Sequence, residues 1–149
     1  MQWRPSAVNR KDEIHQLIFL TQKLKKNAQG LFSQVARKYD LSFQKVMVLI
    51  AIHSQKADTV TGLSNEFSLH QANVSSLVKI MEKEGLIVRT ISEEDIRVNI
   101  LSLTKPARKI MSEIYYELVQ RVEENEEGID FDLIKAGLAE MSRFLEGML

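Results

Sequence analysis

The segment from Asp58 to Thr104 constrains the chain most, because its residues order a short helix, a tight turn, a second helix and a hairpin in unbroken succession. Thr59 is placed to cap the first helix, Val60 to Phe67, with Leu63 and Phe67 four residues apart on its inner face. Gly62 inside it costs about 1 kcal/mol of helix propensity relative to alanine. Ser68-Leu69-His70 makes the turn, and Leu69 is expected to fill the space between the two helices. The second helix runs from His70 to Glu84 with a core stripe of Val74, Leu77, Val78 and Met81, and Gly85 ends it. The hairpin climbs through Leu86-Ile87-Val88-Arg89, turns at Ser92-Glu93-Glu94-Asp95, and returns from Arg97 to Leu103. A helix of this width fits the major groove of DNA, and a hairpin beside it reaches the adjoining backbone or minor groove.

Long striped helices flank this segment. Ile14, Leu17, Leu24, Ala28, Leu31 and Val35 fall at alternating three-and-four spacing, with Thr21 in the remaining slot and Ile18 and Phe32 widening the stripe. Ser42 is the expected cap of a following helix that buries Phe43, Val46, Met47 and Ile50, and His53 to Asp58 forms a polar connector. Thr104 caps a long helix with Pro106 in its first turn and Ile110, Ile114, Leu118 and Val122 along one side. The acidic run from Glu123 to Glu127, before Gly128, lies at that helix's negative end, where it is mildly unfavourable. A last helix from about Asp130 carries Ile134, Leu138, Met141, Leu145 and Met148.

These outer stripes need a partner, and residues 11–38 and 105–149 are expected to pack together across a two-fold axis. The fold class is mainly α with a small β-hairpin. One domain spans 1–149, with a DNA-reading region at 41–104 between dimerisation helices. Two copies related by a two-fold axis read a palindromic site, so the expected partners are double-stranded DNA and a second copy of the chain.

Composition excludes several other classes. The 149 residues suit one domain with a sizeable core, and 44% hydrophobic with 27% charged residues is ordinary for a globular protein. No cysteine is present, which removes disulfides and thiolate metal sites and fits a cytoplasmic setting. Met1 to Ser6 lacks the apolar core of a leader, and the run Val46 to Ile52 is far short of the roughly 20 residues that cross a bilayer. The net charge of zero hides an uneven spread: residues 1–62 hold ten basic and four acidic side chains, 63–109 seven and six, and 110–149 three and ten. Phosphate binding depends on where positive charge lies, so an acidic C-terminal segment is no obstacle. No Gly-rich phosphate loop, nucleophile elbow or His/Glu metal motif occurs, and the chain is not expected to be an enzyme or to carry a cofactor.

Gln71 and Asn73 pair naturally with adenine, and the hairpin beside them favours that role over a merely solvated polar face. Ser75 and Ser76 suit phosphate or base edges or simply a small-residue surface, and Lys79 either meets a phosphate or is solvated. Asp95 and Arg97 at the hairpin offer a DNA contact or a local ion pair. Lys23, Lys25 and Lys26 read as a solvated helix face. His15, His53 and His70 share no ligand spacing, so no metal is expected. Tyr115, Tyr116, Phe43 and Met47 suit an apolar effector pocket, or core packing.

The chain resembles the MarR family (multiple antibiotic resistance regulators), winged helix-turn-helix proteins. Leu63 to Leu69, Val74-Ser75, Leu77-Val78, and Met81 to Ile87 match its helix-turn-helix; Arg89, Asp95-Ile96-Arg97 and Leu103-Thr104 match its wing. The resemblance implies a homodimeric transcriptional regulator, commonly a repressor released by a small, often aromatic, effector. It also implies that Arg97 reaches the minor groove or its phosphates, with Asp95 orienting it. The DNA-binding residues expected are thus His70, Gln71, Asn73, Ser75, Ser76, Lys79, Arg89, Asp95 and Arg97, while the effector site is unassigned. Two rivals stand beside this: a winged-helix interaction module without operator binding, suggested by Ser76 and Ile80, and a metal-responsive regulator.

Overall fold

The computed structural model describes residues 7–149, with side chains from Arg10 onward; the leader reading of Met1 to Ser6 falls outside the described residues. Six helices and one hairpin follow in the order α1 (Ala7–Ala36), α2 (Phe43–His53), α3 (Val60–Phe67), α4 (Gln71–Lys83), β1 (Ile87–Ile91), β2 (Asn99–Leu103), α5 (Lys105–Glu123) and α6 (Phe131–Glu146), with a 3₁₀ turn at Arg37–Tyr39. Two compact units divide within α5, one ending at Tyr115 and the other beginning at Tyr116.

In the first unit, side-chain caps set the helix starts. Ser42 Oγ accepts the Lys45 amide at 3.3 Å and Thr59 Oγ1 accepts the Gly62 amide at 2.9 Å, each satisfying an N–H that the helix itself cannot. Ser68 takes a left-handed conformation (φ 52°) to close α3. Gly85, at φ 71°, turns the chain out of α4, a backbone state that a side chain would strain. The strands pair antiparallel in the register Ile87↔Leu103, Arg89↔Leu101 and Ile91↔Asn99. Ile87, Leu101 and Leu103 turn inward to join Val35, Val46, Leu49, Leu63, Val74, Val78, Met81, Met111 and Ile114 in one core. The Leu101 amide donates to Asp58 O at 2.7 Å, tying β2 to the α2–α3 connection.

Several expectations need correction. Leu69 does not plug the helix pair: it is exposed, because the turn backbone is itself drawn inward. The Leu69 amide donates to Ser64 O at 3.0 Å and the buried Ser64 hydroxyl donates back to Leu69 O, so a small polar residue fills the space. The return strand begins at Asn99, not Arg97, because the Ser92 amide closes the loop onto Val98 O at 2.9 Å. The buried face of α2 is Val46, Val48, Leu49, Ala51 and Ile52, with Phe43, Met47 and Ile50 only half-buried. On α5 the deepest positions are Ala107, Met111 and Ile114; Ile110 is half-buried.

The second unit holds the end of α5 and α6. Asp130 caps α6 by accepting the Leu133 amide at 2.9 Å, as its position suggests. Gly128 supplies the left-handed turn at φ 78°. Arg121 pairs with Glu117 one turn earlier at 2.7 Å. Val122, expected to line the buried side of α5, is exposed, and no residue of α6 is buried.

Candidate nucleic-acid interface

The interface is built on α4, which α3 supports from behind. Val74, Val78 and Met81 sink into the core at successive turns, and this fixes the opposite face outward. Asn73, Ser76 and Lys79 are exposed there, Ser75 is half-buried at its edge, and Gln71 is exposed at the first turn on the side that faces α3. His70 is exposed and occupies the cap position of α4 in extended backbone, but its side chain makes no capping bond, so its ring is not needed by the helix. Gln71 Nε2 donates to Thr61 Oγ1 at 3.2 Å, which orients the amide from α3. Ser76 Oγ donates to Ala72 O at 2.9 Å, one turn back along its own helix.

Two ion pairs brace the far end of α4. Lys45 Nζ on α2 reaches both oxygens of Glu84 at 2.7 Å. Arg89 on β1 grips Glu82 as a fork, Nε to Oε1 at 3.1 Å and Nη2 to Oε2 at 3.0 Å. Both side chains of that pair are 28% exposed, and a two-bond geometry of this kind contributes ~1 kcal/mol while fixing the angle between helix and hairpin. Arg89 is therefore held against the protein, unlike the other cations proposed to face DNA. The signal for it was available: Glu82 and Arg89 straddle the Gly85 turn, and a chain that folds back there must bring them level.

At the hairpin loop, Asp95 Oδ1 accepts the backbone N–H of Arg97 at 2.9 Å, and Ser92 Oγ accepts the Glu94 amide at 3.2 Å. Asp95 thus shapes the loop through backbone, and Arg97 stands exposed on it. The loop also presents Ile96, 83% exposed.

A cleft of about 240 Å³ opens where α2, β2 and α5 meet, lined among others by Ile52, His53, Asp58, Leu101, Leu103 and Arg108. The Tyr115 ring lies 5.6 Å from His53, and burial raises its phenol above the ordinary value of 10.0. The four residues suggested for an effector pocket do not line this cleft: Phe43 packs on Phe32 at 6.3 Å, Met47 is half-buried and Tyr116 is exposed. Among the described residues no three His, Asp or Glu side chains converge as a metal site, and no helix is long and apolar enough to cross a membrane.

A profile of the MarR family matches residues 39–97, the span from the 3₁₀ turn through the exposed arginine of the hairpin loop. The transcriptional regulator SarZ of Staphylococcus aureus (strain USA300) is 30% identical over 97 residues, covering 65% of this chain and 66% of that one, just under two thirds of its length. Reduced AbfR bound to DNA superposes with a TM-score of 0.78 over 94% of this chain and 96% of that one, at 15% identity. CouR from Rhodococcus jostii RHA1, bound to p-coumaroyl-CoA, superposes at 0.70 over 89% and 90%, at 20% identity. The solved structures share the fold, and the family profile matches the segment that holds the helix-turn-helix itself. Residues 39–97 thus resemble the MarR family of winged-helix transcription regulators, and the chain shares the fold of the solved structures.

Proposed function

We propose that the protein acts as a homodimer that binds a palindromic operator and represses transcription until a small effector releases it. The observation that carries the DNA half of this reading is the outward face of α4, polar and exposed over two turns, rigidly backed by core residues and flanked by a loop bearing exposed Arg97. AbfR, which shares the fold, is described bound to DNA, and CouR bound to p-coumaroyl-CoA. Dimerisation is supported by apolar stripes that the single chain leaves in water: Leu17, Leu20 and Leu24 on α1, and Ile134, Leu138 and Leu145 on α6. Two copies joined there would offer two α4 helices to successive major grooves.

The cleft beside β2 is the candidate effector site. Its size, about 240 Å³, suits a single substituted ring better than a drug-sized molecule. One wall is the return strand of the hairpin, so an occupant that favours one hairpin position shifts the balance between DNA-competent and incompetent states.

Binding of labelled genomic fragments across a salt series tests the reading. The expected result is affinity that falls steeply with salt. Arg97→Ala should weaken binding about equally on all sequences and reduce the salt slope by about 1. Affinity indifferent to both salt and Arg97→Ala would instead leave a protein-interaction module.

A further inference from the structure

Ala72, Asn73, Ser76, Lys79 and Ile80 are all exposed on α4, opposite its buried stripe, within about 60° on either side of Ser76. From Ala72 to Ile80 they cover roughly 12 Å along the axis, three to four base-pair steps of ~3.4 Å. Granted the regulator reading above, we propose that α4 reads an A·T-dominated half-site, with Gln71 and Asn73 on adenine edges and Ala72 and Ile80 against thymine methyl groups.

Four features of this helix combine. First, α4 contains no arginine, the commonest partner of guanine. Its two cations, Lys79 and Lys83, are lysines, whose point charge lacks the flat fork by which arginine grips guanine. They fit phosphates at the groove's edge.

Second, the Gln71 amide is pre-set for adenine. One hydrogen of Nε2 goes to Thr61 Oγ1 at 3.2 Å. The other, together with Oε1, forms the donor–acceptor edge that complements adenine N7 and N6.

Third, the Ser76 hydroxyl hydrogen is spent on Ala72 O at 2.9 Å, so at the centre of the exposed face Ser76 is left to accept and has no hydrogen for guanine O6 or N7. Fourth, Ile80 leaves 49% of its surface in water on an otherwise polar face. The thymine C5-methyl is the apolar group that the major groove can offer it.

The test begins with selection of duplexes bound by the full chain from a random pool at low salt. Affinity for the selected duplex is then measured with deoxyuridine replacing thymidine, which removes only the methyl, and with 7-deazaadenine replacing adenine, which removes N7. A·T pairs should dominate the positions under α4. Each contacted methyl lost should weaken binding by about three- to five-fold, and the loss at one of them should vanish in Ile80→Ala. Loss of N7 at a contacted adenine should cost roughly 5- to 150-fold and should be absorbed by Gln71→Ala or Asn73→Ala. Thr61→Val keeps the side-chain shape but removes the acceptor, so it should relax adenine preference at the Gln71 position without moving the thermal midpoint.

Selection of G·C pairs under α4, or indifference of wild type and Ile80→Ala alike to deoxyuridine, overturns this inference and leaves the regulator reading standing. A chain that retains no duplex even at low salt overturns both.

Discussion

From α2 to β2 the elements bury one another's stripes, whereas α1 as far as Leu31 and the whole of α6 hold theirs in water. Both regions carry the same kind of apolar periodicity. The difference lies in connection length: α2, α3, α4 and the hairpin follow at short turns and close on one core with the end of α1 and the start of α5, while the stripes of α1 and α6 stay uncovered. Apolar spacing therefore marks a face that needs covering without saying by what. The inner region, with the adjoining ends of α1 and α5, is expected to be stable within one chain, and the outer stripes to depend on a second molecule.

The sharpest break in that contrast comes from the core. Leu49→Ala, at a fully buried position, should cost about 2–5 kcal/mol in urea unfolding, the loss expected when a large side chain leaves a cavity. A smaller loss would mean that the inner region is loosely packed. Next, Leu138→Asp on the exposed stripe of α6 should leave the helical signal largely intact yet convert the protein to monomers in sedimentation. The unfolding midpoint of wild type, but not of this variant, should then rise with protein concentration. Unchanged oligomeric state would show that α6 is not part of the dimer contact.

Within the inner region, Thr59→Ala removes the cap of α3 and should cost about 1 kcal/mol, read as a lower midpoint at every protein concentration. The smallest effect is that of Arg89→Met, which deletes the fork to Glu82 and should cost ~1 kcal/mol or less. If the braced arginine acts only by positioning the hairpin, DNA affinity should fall with little change in salt slope. A slope reduced as much as in Arg97→Ala would return Arg89 to the DNA surface.

What was legible in the sequence was local. Ser42, Thr59 and Thr104 were readable as caps because each bond joins a side chain to an amide three residues on. The exposed face of α4 followed from helical periodicity once Val74, Val78 and Met81 were taken as buried. What escaped depends on tertiary contact. Leu69 looked like a core residue until the turn placed Ser64 beneath it, and the fork from Arg89 to Glu82 forms only once the Gly85 turn brings the two level. Thr61 gave no local signal at all, because its link to Gln71 crosses from one helix to the next.

Thr104 does more than start α5. Its hydroxyl donates to Gly85 O at 2.6 Å and accepts the Ala107 amide at 3.2 Å, while its own amide donates to Leu86 O at 3.1 Å. One residue thus rivets three parts at a single joint: the outlet of α4, the root of the hairpin and the first turn of α5. Any shift of the first turn of α5 is thereby tied to the outlet of α4 and the root of the hairpin at once.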